Sequence, residues 1–282
     1  MSEHHNGNGH EHVNDEDFSM AFIDSCDRLS MLLIHGFPLN STMWSIQLDD
    51  LNNYARIIAP DLRGHGNSDP VPGPYAMSQF ADDCADLMEY LAVATPFVVG
   101  GLSMGGYVAF EFYRRYPELV AGLILTATKA APDSAEAKAN RDAAAANVIK
   151  NGVTDLVEGM LPKLFSPTTW KNDPELVSFV RDMLMKTSVE GAVGALLAMK
   201  ERPDSTATLA EIRVPTLIIH GADDQIIPLA EAQAMHKAIK GSKLVVIEDA
   251  GHLPNLEQPD EFNDAVIDFL EGIEADFEVE SD

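Results

Sequence analysis

The chain is predicted to be an α/β protein: a mostly parallel sheet flanked by helices, with a helical insertion between its sixth and seventh strands. Three observations predict this. Apolar, strand-like runs at residues 31–34, 56–59, 97–100, 122–126, 216–219 and 244–247 alternate with helical patterns, the rhythm of a parallel sheet covered on both faces. Residues 129–213 break that rhythm, with helical patterns at 133–150, 154–164, 174–186 and 189–201 and no strand between them. Finally, 282 residues with 46% apolar content supply one sizeable core,. The expected organisation is a polar, histidine-rich and acidic disordered tail at 1–17, a core at 18–128 and 214–273, a cap at 129–213, and an acidic tail at 274–282.

The run at 97–100 leads directly into Gly101-Leu102-Ser103-Met104-Gly105, and a helical pattern follows it. Strand, GxSxG and helix in that order are what a nucleophile elbow requires, because the sharp turn lifts the serine hydroxyl above the sheet edge. The plainer alternative is a glycine-rich βα turn. A serine hydroxyl is a weak nucleophile at its own pKa and needs a base, itself oriented by an acid. The partners follow such an elbow in the order acid, then His. Of the nine histidines, only His220, His236 and His252 come after Ser103. His236 sits in a surface-like helix, and His220 ends a strand as a structural histidine would. His252 lies in a loop beyond the strand at 244–247, where parallel-sheet proteins place chemistry, and is the expected base. The strand before it runs into Asp223-Asp224, two adjacent candidates for the acid.

An acyl-transfer site also needs donors for a developing oxyanion. The strand at 31–34 ends in His35-Gly36-Phe37-Pro38. Proline has no N–H, so the Phe37 amide is the donor expected from this loop, with the Met104 amide as its partner from the elbow. Phe37, Leu39, Ile226 and Leu253 are the expected apolar substrate contacts. Asp61 and His65, in Asp61-Leu62-Arg63-Gly64-His65, are read as a structural loop bonded to backbone rather than a second acid–base pair.

With these residues in place, the chain resembles an α/β-hydrolase of the compact bacterial carboxylesterase type, the group labelled 3-oxoadipate enol-lactonase-like. The motifs that carry the resemblance are Leu33-Ile34-His35-Gly36-Phe37-Pro38-Leu39, residues 60–68 (PDLRGHGNS), residues 100–107 (GGLSMGGY), residues 201–206 (ERPDST) and residues 250–259 (AGHLPNLEQP). It covers about residues 18–273. The resemblance implies a triad of Ser103, Asp224 and His252, choosing Asp224 because the acid stands three residues after the glycine. Asp223 would then cap the following turn. It also implies oxyanion amides at Phe37 and Met104 and no cofactor. The expected activity is hydrolysis of small to medium acyl esters through an acyl-enzyme. A lactonase, a perhydrolase or, more distantly, a non-catalytic ligand receptor are the alternatives. The amino terminus departs from the family, which opens with a β-hairpin; here the first strand is expected to be short or absent.

Composition narrows the partners. The net charge of −26 disfavours nucleic acid and anionic membrane, leaving a small-molecule ester as the expected partner of a monomer or small homo-oligomer. No run reaches the roughly 18–20 apolar residues of a membrane span. Two cysteines, Cys26 and Cys84, form no disulfide framework,. With no basic, apolar amino-terminal segment, a cytoplasmic setting is expected. His4, His5, His10 and His12 lack the companions that define a metal geometry, so no metal site is expected.

Overall fold

The computed structural model describes residues 11–15, 18–24 and 29–280. Its eight strands form one sheet: β1 (Glu11–Asp15), β2 (Phe18–Asp24), β3 (Ser30–Ile34), β4 (Arg56–Pro60), β5 (Phe97–Leu102), β6 (Val120–Thr126), β7 (Thr216–Gly221) and β8 (Lys243–Ile247). The strand order is β1-β2-β4-β3-β5-β6-β7-β8. Strands β1 and β2 pair antiparallel, as do β2 and β4, and every later pairing is parallel. The helices are α1 (Ser45–Asp50), α2 (Met77–Tyr90), α3 (Met104–Arg115), α4 (Ala135–Asn151), α5 (Thr154–Leu164), α6 (Pro167–Asn172), α7 (Pro174–Leu184), α8 (Val189–Lys200), α9 (Thr206–Leu209), α10 (Leu229–Ala238), α11 (Pro254–Glu257) and α12 (Pro259–Glu280).

Strands β3 to β7 are buried on both faces, which explains why they read as continuous apolar runs rather than alternating ones,. Side chains alternate across each strand. Leu32 and Ile34 join one core with Phe80, Val99 and Phe110, whereas Met31 and Leu33 join the other with Trp44, Val98 and Phe262. The insertion between β6 and β7 feeds both cores. Its α4 and α8 contribute Val148, Leu196 and Met199 to the first, and α5 and α7 contribute Leu161, Val180 and Met183 to the second.

Two expectations are corrected. Residues 11–15, assigned to a disordered tail, form β1 and complete an opening hairpin with β2. Residues 274–280, assigned to an acidic tail, continue α12 to Glu280; the apolar series Phe262, Val266, Phe269, Leu270 and Ile273 seats that helix on the sheet. His4, His5, His10 and Cys26 lie outside the described residues. Among the described residues no helix is long and apolar enough to cross a membrane.

Candidate active site

The carboxyl ends of β3, β5, β7 and β8 converge on one edge of the sheet. Ser103 stands between β5 and α3 with φ 56° and ψ −110°, a backbone state that costs a non-glycine residue about 1–3 kcal/mol and persists only where its surroundings enforce it. Here they do: the Ser103 N–H donates to Thr126 O (2.9 Å), and the Thr128 hydroxyl donates to Ser103 O (2.8 Å). The turn closes only because its flanking residues lack side chains. A Cβ on Gly101 would collide with the backbone of Gly105, and one on Gly105 with the carbonyl of Ile34.

The loop after β3 lies against this turn, since a Cβ on Gly36 would stand 3.4 Å from that of Ser103. His35 fixes the loop from beneath. Its Nε2 accepts from the Leu62 N–H (2.9 Å), which puts the ring proton on Nδ1, where it is donated to Gly36 O (2.8 Å). Full burial lowers its pKa to about 4 and keeps the imidazole neutral,. No backbone or side-chain acceptor among the described residues takes the N–H of Phe37 or of Met104.

At the ends of β7 and β8, His252 Nδ1–H donates to Asp224 Oδ2 at 2.8 Å, with both side chains nearly or fully buried. Asp224 Oδ1 accepts from the Ile226 (2.8 Å) and Ile227 (3.0 Å) amides. Burial alone would push the Asp224 carboxyl up; the neighbouring His252 and those amides outweigh it and hold its pKa below the usual carboxylate range,. Asp223 is exposed and donates its own N–H to Ala250 O. The turn-capping role expected of Asp223 is therefore performed by Asp224. His220 lies beneath the pair, its Nε2–H donating to Ile227 O (2.9 Å) with Asp224 Oδ2 3.5 Å away. Burial lowers its pKa as well.

A cavity of about 420 Å³ adjoins this edge at Phe37, Gln225 and Ile226, and Ser103, Asp224 and His252 are not among its lining residues. Phe37 and Ile226 line it together with Leu156, Met160 and Leu196, and Asn140, Arg141 and Lys163 add a polar wall. Leu39 and Leu253, expected to touch substrate, are 1% and 0% exposed and belong to the second core instead of this lining. Asp61 accepts from the Ser41 (2.7 Å) and Asn67 (2.8 Å) amides, and buried His65 bonds Arg63 O (3.0 Å), so this pair serves the backbone. Among the described residues no cluster of His, Cys, Asp or Glu is arranged to hold a metal ion.

Glu257 lies in the motif at 250–259, but sequence reasoning assigned it no role. Its Oε1 accepts from Gly251 N–H and its Oε2 from Ser166 N–H, both at 2.7 Å, and burial raises its pKa. The signals that could have found it were its place in that motif and its spacing, five residues after His252. The Nε–H of Arg141, which lines the cavity, donates to Asp133 Oδ2 at 2.5 Å.

The solved structure of a thermophilic esterase from Thermogutta terrifontis with malate bound is similar to this chain at 45% identity and a TM-score of 0.89, covering 91% of this chain and 94% of that one. The 3-oxoadipate enol-lactonase 2 of Acinetobacter baylyi is 30% identical over 246 residues, 87% of this chain and 90% of that protein. A pimeloyl-[acyl-carrier protein] methyl ester esterase of Neisseria meningitidis is 31% identical over 244 residues, 86% and 93% of the two. The family described as alpha/beta hydrolase matches residues 31–265, and with that span matched, the chain belongs to the alpha/beta hydrolase family.

Proposed function

We propose that the chain is a serine carboxylic-ester hydrolase acting on small to medium acyl esters. The observation that carries this is the 2.8 Å bond between His252 Nδ1 and Asp224 Oδ2 at the sheet edge that presents the Ser103 elbow. Asp224 holds the imidazole with its proton on Nδ1, which leaves Nε2 free to take the Ser103 hydroxyl proton as Oγ attacks the ester carbonyl. The unpartnered amides of Phe37 and Met104 bind the oxyanion, and the first turn of α3 adds its positive end there. The alcohol leaves with the proton from His252. Water, deprotonated by the same base, then cleaves the acyl-enzyme. The apolar cavity walls and its volume of about 420 Å³ suit short acyl chains.

Arg141 and Lys163 on the polar wall favour a second reading: a lactone or ester that carries a carboxylate away from its reacting carbonyl. The enol-lactonase and the malate-bound esterase among the similar proteins point the same way.

The test is hydrolysis of p-nitrophenyl esters from acetate to palmitate by wild type and Ser103→Ala. Turnover should peak at short chains and fall by about 10³-fold or more in the variant, which keeps only the oxyanion hole and binding. Undiminished turnover in Ser103→Ala would refute the assignment. A p-nitrophenyl hemisuccinate preferred over butyrate would select the carboxylate-bearing class.

A further inference from the structure

Leu164, the last residue of α5, and Phe165 and Ser166, which link it to α6, touch both loops of the site. Leu164 O accepts the backbone N–H of His252 (2.9 Å), Phe165 O accepts from the side chain of Gln225 beside Asp224 (3.1 Å), and the Ser166 N–H donates to Glu257 (2.7 Å). The other Glu257 oxygen holds the N–H of Gly251, the residue before His252. The layers meet backbone to backbone, since a Cβ on Gly251 would lie 2.5 Å from the carbonyl carbon of Phe165 and 2.6 Å from Ser166 N. A carboxylate that accepts from two amides at once fixes their separation, because each oxygen is committed to a different segment. Gly251 and Ser166 belong to segments 85 residues apart in the chain, and Glu257 is the side chain that bonds both.

We propose that Glu257 is a positioning residue for the base: its carboxylate clamps the N–H of Gly251, the residue before His252, to the cap segment 164–166, so that the seating of the cap sets where the imidazole stands. This rests on the reading of His252 as base. Glu257 is not among the residues that line the cavity. It acts by holding the backbone from which the imidazole projects, and displacement of a reacting group by about 1 Å costs on the order of a hundredfold in rate.

The experiment compares Glu257→Gln, Glu257→Ala and His252→Ala with wild type on p-nitrophenyl acetate, with active sites counted by phosphonate titration of Ser103. Glutamine keeps the volume and one acceptor but turns an N–H₂ towards the other amide. The expected result is a kcat per titrated site lowered roughly tenfold to hundredfold in Glu257→Gln, and further in Glu257→Ala, with KM moving less than about threefold. The acid limb of the kcat/KM profile, which reports the free enzyme's base, should shift in the same variants. A merely structural carboxylate would lower the melting temperature and the number of titratable sites while leaving turnover per site and the pH profile unchanged; that outcome overturns the proposal. If Glu257→Ala does not fold, Glu257→Gln decides alone. Full activity in His252→Ala would instead remove the base itself, and the clamp with it, a failure distinguishable from that of Glu257.

Discussion

Asp223 and Asp224 have the same side chain and charge, and only the fold gives them different work. Asp224 is turned inward onto His252 and two amides, whereas Asp223 faces water. Asp224→Asn should therefore lower kcat by up to about 10⁴-fold, because an amide in that place stabilises the wrong imidazole tautomer. Asp223→Asn should stay within about twofold of wild type. Equal losses in both, measured on one ester, would remove Asp224 as the acid. The buried histidines carry a second prediction. His35 and His65 are held neutral, with pKa values of about 4 and about 3, against about 6.5 for an unperturbed imidazole. Below pH 6.5 the unfolded chain takes up protons that the folded one refuses, so stability is full above about pH 6.5 and falls as the pH drops towards 4. Urea titrations across that range check it; a stability that stays level or rises on acidification contradicts it. Ser103, Phe37, Met104 and His252 could all be picked out in the sequence because elbow, HG loop and strand-end loop are local patterns. The choice between two adjacent aspartates could not be read from local pattern, since it depends on which one a loop 28 residues away meets. Leu39 and Leu253 misled because an apolar residue near a site reads the same whether it faces the cavity or the core.

Elements buried on both faces were the legible ones. Strands β3 to β7 announce themselves as apolar runs, and so does the half-exposed outermost strand β8 (KLVVI), but β1, with the sequence EHVND, has one apolar residue in five. Nothing local marks such an edge strand. Helix α6 escaped for a related reason: PTTWKN is too short to show a period. The amino end of α8 shows how the insertion is seated. Gly191 packs on the loop at Gly64, and the Ser188 hydroxyl donates to Gly64 O (2.9 Å) while accepting from the Gly191 N–H (2.9 Å). A Cβ at Gly191 would strike the Gly64 carbonyl. Gly191→Ala should thus push α8 off the core, costing about 1–3 kcal/mol as overpacking does and lowering the melting temperature by roughly 2–4 °C per kcal/mol. KM should rise as well, because α8 carries Leu196 on the cavity wall. An unchanged melting temperature by calorimetry would mean that the contact yields freely.

At the scale of the molecule the net charge of −26 dominates. Self-repulsion of that size opposes the compact state, and salt shortens its reach from about 30 Å at 0.01 M to about 3 Å at 1 M. The melting temperature should rise over that range of sodium chloride; a fall would show that attractive ion pairs such as Arg202–Asp133 (2.7 Å) outweigh the repulsion. The sheet order has a further consequence. The proposed nucleophile hangs from β5 in the middle of the sheet, but the proposed acid and base hang from β7 and β8, and β8 has a neighbour on one side only. An outermost strand exchanges its amide hydrogens and frays more readily than a central one. On warming, β8 should therefore open while the sheet's centre is still closed, and the imidazole should depart with it. Ester hydrolysis should then be lost on heating several degrees below the calorimetric melting temperature, and coincident loss of both would contradict this.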